Sequence, residues 1–172
     1  LLERAIQNQN RKIENLKRDN YRNPYETLSF FGINEKMKVL EVSPGSGWYS
    51  EILSFYLKNS KGYFVTKYKK APIKIIETNQ KKFDDYFNKN IKNFGKIESI
   101  YFNEKNTLDS KIKNFDMVLT FRNTHNWLGS NTAENVYKSI YKIMKKGGIL
   151  GVVQHRANED SKNNFKNGYV KQ

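Results

Sequence analysis

Apolar residues along this chain alternate between two spacings. Met37 to Val42 is a short apolar run broken by one acid, Glu41, which predicts a buried parallel strand. From Trp48 to Leu57 the spacing becomes helical, with Tyr49, Ile52, Leu53 and Tyr56 on one face. Further strands are predicted over Tyr63 to Thr66, Ile97 to Phe102, Phe115 to Phe121 and Ile149 to Val153. Between them a helix is predicted after Pro72 through Phe87, with Ile75, Ile76, Phe83 and Phe87 inward. Another runs from Asn131 to Lys145, with Val136, Ile140, Ile143 and Met144 inward and Gly147-Gly148 as its stop. Ahead of the first strand, Leu1 to Leu16 reads as an amphipathic helix. Arg18 to Pro24 reads as a polar turn with Asn23 held extended by the following proline, and Tyr25 to Phe31 as a short helix ended by Gly32. Ala157 to Gln172 is polar and poor in apolar residues.

Strands alternating with helices predict an α/β fold with a parallel sheet and right-handed crossovers. In such sheets ligands bind outside the carboxyl ends of the strands. Both tryptophans, Trp48 and Trp127, and both histidines, His125 and His155, fall just beyond predicted strand ends.

The turn Ser43 to Gly47 joins the first strand to its helix, and Gly45 and Gly47 permit a close approach that a Cβ would block. A phosphate-binding P-loop is excluded, because no Gly-Lys-Ser/Thr closes the turn. The dinucleotide pattern G-x-G-x-x-G is half met, with Ser50 at its third glycine. An ordinary strand-to-helix connection is the alternative. Arg122-Asn123-Thr124-His125-Asn126-Trp127 follows the fourth strand directly. Arg122 can fork onto a carboxylate, His125 can exchange a proton near neutrality, and Asn126 can orient a substrate. Against this, His125 can simply cap a helix and Trp127 fill the core. His125 and His155 lack a third spaced ligand, although Glu159 and Asp160 are near in sequence, so no metal site is expected.

Composition narrows the picture only in places. The 172 residues are 37% hydrophobic, enough for one domain with a core. Absence of cysteine excludes disulfides and thiolate metal sites. No apolar run reaches membrane-spanning length. The chain opens at Leu1 rather than Met, so removal of an upstream segment is an open expectation. The balance of 31 Lys+Arg against 17 Asp+Glu gives a net charge of +14, which suits acidic partners such as nucleic acid, anionic membrane or acidic metabolites. The lysines are scattered among asparagines without an arginine-rich stripe, so nucleic acid is not favoured.

With these stretches assembled, the chain resembles the class I S-adenosylmethionine-dependent methyltransferases. Their acid-x-Gly-x-Gly-x-Gly motif is matched by Glu41 to Gly47, with Ser43 in place of the first glycine. Phe115-Asp116-Met117-Val118 and Met144 to Leu150 look like later motifs of that family, with Lys146 where proline is usual. The chain is most similar to a group of bacterial predicted methyltransferases that pair Pro-Gly-x-Gly-Trp-Tyr, here Pro44 to Tyr49, with Arg-Asn-x-His-Asn-Trp, here Arg122 to Trp127. Arg18 to Pro24 and Val153 to Arg156 look similar to that group too.

The resemblance implies a Rossmann-like parallel sheet of order 3-2-1-4-5 with helices on both faces, residues 1–36 forming a helical lead-in packed on the cleft and residues 37–172 the S-adenosylmethionine-binding domain. It implies that Glu41, Ser43, Gly45 and Gly47 line the methionine and ribose part of the cofactor, and further cofactor contacts are expected at Pro44, Trp48, Tyr49, Tyr68, Asn103, Arg122 and Asn123. His125, Arg122 and Asn126 would be the catalytic group, with Trp48 or Trp127 facing the sulfonium. Lys67 stands where the family's ribose-binding acid is expected. A nicotinamide oxidoreductase using Lys67 for a 2′-phosphate is one alternative, and a non-catalytic nucleic-acid-binding module on the same fold another. The family's sixth and seventh strands are not supplied by the polar tail, so the chain is expected to continue past Gln172 or a partner to cover the sheet edge. A small-molecule acceptor, a cytoplasmic location and a homodimer complete the expectations.

Overall fold

The computed structural model describes residues 1–108 and 110–171. Four short helices lead in: α1 (Leu2–Ile6), α2 (Ile13–Leu16), α3 (Asp19–Arg22) and α4 (Pro24–Phe30). Then come β1 (Val39–Val42), α5 (Trp48–Tyr56), β2 (Tyr63–Tyr68), α6 (Lys74–Lys89), α7 (Ile91–Phe94), β3 (Glu98–Phe102), β4 (Phe115–Phe121), α8 (Thr124–Gly129), α9 (Ala133–Ile143) and β5 (Met144–Val153). A two-residue pair, β6 (His155–Arg156) and β7 (Tyr169–Val170), closes the described chain.

The five long strands form one parallel sheet in the order β3-β2-β1-β4-β5. This is the Rossmann-like architecture expected from the alternation of strands and helices. Side chains of β1 alternate between its faces. Val39 joins Ile52, Leu53, Phe83 and Phe87 on one side, while Leu40 and Val42 join Trp127, Val136 and Ile140 on the other. A sheet buried on both faces explains why the strands read as nearly continuous apolar runs.

Several local readings need correction. The stretch from Leu1 to Leu16 is two helices, because the Asn8 side-chain oxygen accepts from the backbone N–H of Asn10 (3.0 Å) and offers the chain a turn instead. Asn23 is left-handed (φ 43°) rather than extended, a region that asparagine tolerates better than most residues, and Pro24 opens α4. Ile75 lies exposed in the first turn of α6 rather than inward, whereas Phe83 and Phe87 are buried. The helix expected through Lys145 stops at Ile143. Met144 pairs with Phe115, Ile149 pairs with Met117, and the four residues between are accommodated at a register shift that contains Gly147 (φ 73°). The tail contributes β6 and β7 as a separate parallel pair, and the five-stranded sheet gains no sixth or seventh strand among the described residues. There, too, no helix is long and apolar enough to cross a membrane.

Gly47 holds the sheet and helices close. A Cβ on it would lie 2.8 Å from a ring carbon of Phe87 and 3.1 Å from Phe83, and its φ is +85°. Gly47→Ala is expected to destabilise the fold by about 1–3 kcal/mol, read by urea denaturation, since both strain and overpacking oppose it.

Candidate functional site

The site is built on the turn after β1. Ser43 (φ 54°) and Gly45 (φ 60°) both take left-handed backbone angles. At Ser43 that conformation costs about 1 kcal/mol relative to glycine. It is held from both sides. The Ser43 N–H donates to Thr66 Oγ1 on β2 (2.7 Å). Asn123 Nδ2 lies 3.2 Å from the carbonyl oxygens of both Val42 and Ser43 and 3.1 Å from Thr120 Oγ1 on β4. Strain clamped in this way, at the carboxyl edge of the sheet, is typical of a ligand-binding turn.

Two cavities flank the turn. One, of ≈ 560 Å³, lies between the end of β2 and the start of α6; Ile73, Ile76, Phe83 and Trp127 give it an apolar lining, and Thr66, Asn79 and Asn106 a polar one. Among the described residues, no carboxylate lines it. The other, of ≈ 620 Å³, is lined by Glu41, Tyr49 and Phe121, by Arg122, His125 and His155, and by Arg18, Tyr21 and Arg22 from the lead-in. Ser43, Pro44, Gly45 and Asn123 line both. Each cavity has the volume of a small-molecule site.

Glu41 is almost completely buried (2% exposed). Its carboxylate accepts from Ser50 Oγ (2.6 Å) and from the Tyr63 hydroxyl. Burial pushes its pKa up to about 7, against the opposing effect of those two donors. Burial, with the Glu41 charge second, raises the Tyr63 pKa strongly, so the phenol remains a neutral donor.

The segment after β4 does not act as one block. Arg122 is left-handed (φ 61°), its N–H bonded to the Val153 carbonyl of β5 (2.7 Å), and it lines the Glu41 cavity with His125. The His125 ring is held by Gln154, Nδ1 to Oε1 3.3 Å, and Gln154 in turn donates to the Gly168 carbonyl in the tail. Asn126 and Trp127 line the opposite cavity. The expected trio of His125, Arg122 and Asn126 is therefore split across the turn.

Of the other expected contacts, Ser43, Pro44 and Gly45 line both cavities, Trp48 and Tyr49 the Glu41 cavity, and Tyr68 the opposite one. Trp48 has its indole N–H bonded to the Asn15 carbonyl (2.8 Å) and its ring covered by the Arg22 guanidinium (4.7 Å), so the lead-in already uses it. Gly47 and Asn103 line neither cavity. The Asn103 amide is spent within its own turn, accepting from the N–H groups of Lys105 and Thr107 (3.0 Å each). Asn106, three residues on, is the one that faces the cavity, accepting from the Tyr68 hydroxyl (2.9 Å). Sequence reading missed Arg18, Tyr21, Arg22, Thr66, Asn79 and Asn106. For the first three the signals were the polarity of the segment before Pro24 and its likeness to the group of predicted methyltransferases, neither of which singles out these side chains.

No family model and no curated protein matches the sequence. Solved structures do match. An S-adenosylmethionine-dependent methyltransferase from Aquifex aeolicus superposes with a TM-score of 0.61 at 19% identity, over 86% of this chain and 72% of that one. The glycopeptide N-methyltransferase MtfA in complex with S-adenosylhomocysteine gives 0.56 at 14% identity, over 81% of this chain and 51% of that one. Coclaurine N-methyltransferase, bound to N-methylheliamine and S-adenosylhomocysteine, gives 0.55 at 16%, over 78% and 35%. The chain has the fold of the S-adenosylmethionine-dependent methyltransferases. It spans about three quarters of the first of these structures, half of the second and a third of the last.

Within this methyltransferase fold the residue at the expected ribose-acid position is already engaged. Lys67 Nζ pairs with Asp84 of α6, and the lysine side chain is only 13% exposed. The cation on which a 2′-phosphate reading rests is thus compensated inside the protein.

Proposed function

We propose that the chain is an S-adenosylmethionine-dependent methyltransferase that holds its cofactor across the Ser43–Gly45 turn. The adenosine end would lie in the cavity lined by Ile73, Phe83 and Trp127, and the methionine end in the cavity of Glu41 and Tyr49. The observation that carries this reading is that two cavities of small-molecule size meet at one strained turn on the carboxyl edge of a methyltransferase fold. Their linings suit the two ends of the molecule. Apolar side chains with a few amides match a base and sugar, and the Tyr68–Asn106 pair with Asn79 offers neutral contacts for a ribose diol. The backbone at Gly45 supports the fit. A Cβ there would meet no protein atom within 4 Å, although the residue lines both cavities, so added bulk enters the shared space.

When bound, S-adenosylmethionine supplies an electrophilic methyl group on a sulfonium. The protein's part is to hold the acceptor in line with it and to exclude competing water. His125, steadied by Gln154, takes a proton from the acceptor or orients it, and Arg122 holds an anionic group beside it.

Calorimetry with S-adenosylhomocysteine tests the reading. Binding at a single site is expected, and Ile73→Arg, at an exposed residue of the apolar lining, should weaken it at least tenfold while leaving the circular dichroism spectrum intact. Absence of heat from the unaltered protein at millimolar ligand rejects the proposal.

A further inference from the structure

The Glu41 cavity carries more positive charge than a cofactor needs. Arg18, Arg22 and Arg122 line it together with His125 and His155, and among the described residues Glu41 is the one carboxylate in its lining. Among the described residues, none of the three arginines forms an ion pair. They are close enough to act on each other. Burial lowers the Arg22 pKa first, and the Arg18 and Arg122 guanidiniums lower it further. Burial likewise lowers the His155 pKa, followed by Arg122, His125 and Arg22.

The carboxylates that would ordinarily neutralise this cluster are committed elsewhere. Asp19 lies within Coulombic reach of Arg22, but Arg11 forks onto both its oxygens (2.7 and 2.9 Å). Glu41 is held by Ser50 and Tyr63. Like-charged guanidiniums facing one cavity without counter-charge are costly unless a ligand supplies the charge. The proposed cofactor does not supply it. Its sulfonium and ammonium outnumber its single carboxylate, so it enters the cavity as a net cation, and one guanidinium satisfies that carboxylate.

We propose that the methyl acceptor is a small oxyanion, bearing a carboxylate or phosphoryl group that is gripped by Arg22 and Arg122 with Arg18 at the rim. The inference rests on the methyltransferase reading of the site and adds the class of acceptor to it. Arginine suits this task because its planar fork matches both kinds of oxyanion. Arg22 is the anchor: it is half-buried and braced over the Trp48 ring, whereas Arg18 and Arg122 are exposed and free to close on a ligand. The cavity volume of ≈ 620 Å³ limits the anion to a small molecule once the methionine end of the cofactor is also present.

The test is calorimetry at fixed ionic strength in a chloride buffer, with inorganic phosphate and benzoate as separate probes. Each is titrated into the free protein and into protein saturated with sinefungin, the cationic analogue that also occupies MtfA. One of the two probes is expected to bind at a single site, more tightly to the sinefungin-loaded protein. Arg22→Gln and Arg122→Gln should each weaken it by about tenfold or more, without altering the thermal midpoint enough to signal unfolding. The stronger probe then says whether the acceptor carries a phosphoryl or a carboxylate group. Sinefungin binding with no anion binding overturns the acceptor class and leaves the cofactor reading standing. Anion binding that is unchanged in both variants places the site elsewhere and also overturns it. A single-stranded oligonucleotide that binds far more tightly than either probe, with a steep salt dependence, replaces the small anion by nucleic acid. Failure of sinefungin to bind removes the methyltransferase reading and the acceptor role together.

Discussion

Arg11→Ala is expected to destabilise the protein by about 3–5 kcal/mol, a large part of the 5–15 kcal/mol that holds a domain of this kind together. Arg11 is 3% exposed, yet it carries a full charge. Its guanidinium forks onto Asp19, donates to the Ile6 carbonyl (2.5 Å), and has Nε 3.4 Å from Glu51 Oε2. Glu51 is itself 1% exposed, and its other oxygen accepts from the Lys12 N–H (3.2 Å). Truncating Arg11 leaves that carboxylate buried without a cation, and the penalty of an unpaired buried charge dominates the lost contacts. Urea denaturation of Arg11→Ala, Glu51→Gln and the double variant separates the two causes. The double variant should be more stable than Arg11→Ala alone, because the stranded charge is gone. A loss under 1 kcal/mol in Arg11→Ala would mean that the lead-in is not anchored in this way. The anchor matters beyond stability, since α3 and the residue before it bring Arg18 and Arg22 to the site.

The second large effect concerns Glu41 and pH. Its pKa in the folded protein is about 7, above the ordinary 4.5. Between those values the folded state binds a proton that the unfolded chain has released. The protonated carboxyl therefore favours the fold fully below pH 4.5, and the advantage is lost as pH rises through 7. Glu41→Gln keeps an acceptor for Ser50 and Tyr63 but cannot ionise. Relative to the unaltered protein, the variant should gain about 3 kcal/mol between pH 4.5 and pH 8. Paired urea titrations at the two pH values measure this directly. A stability difference independent of pH would show that Glu41 is not forced toward its neutral form.

Much of the fold was legible because buried parallel strands advertise themselves as apolar runs. Phe115 to Phe121 was read with its observed bounds, and the 3-2-1-4-5 order followed from the family resemblance. The failures came where long-range contacts overrule local pattern. Glu41 lines the cavity beside the turn, but local pattern does not show that its carboxylate is held by Ser50, nine residues on, and by Tyr63 on the next strand. Gly47 looked like part of the ligand-facing turn, yet its bare face meets Phe83 and Phe87 of α6. Ile75 carries a core-like pattern but overhangs the cavity at the sheet edge, where apolar surface stays exposed. Asn103 and Asn106 are equivalent in type and differ only in which one the turn consumes. The arginines of the lead-in sit some twenty residues before β1, and nothing in the local sequence says which side of the sheet they reach.

The account stands on one ligand spanning the turn after β1. Its most direct test is the structure of the protein with sinefungin, by crystallography or by intermolecular NMR contacts. The adenine should lie against Ile73, Ile76 and Phe83, and the amino-acid end in the cavity of Glu41 and Tyr49, with the chain of Ser43 to Gly45 passing between. Sinefungin confined to a single cavity, or absent at saturating concentration, would contradict it.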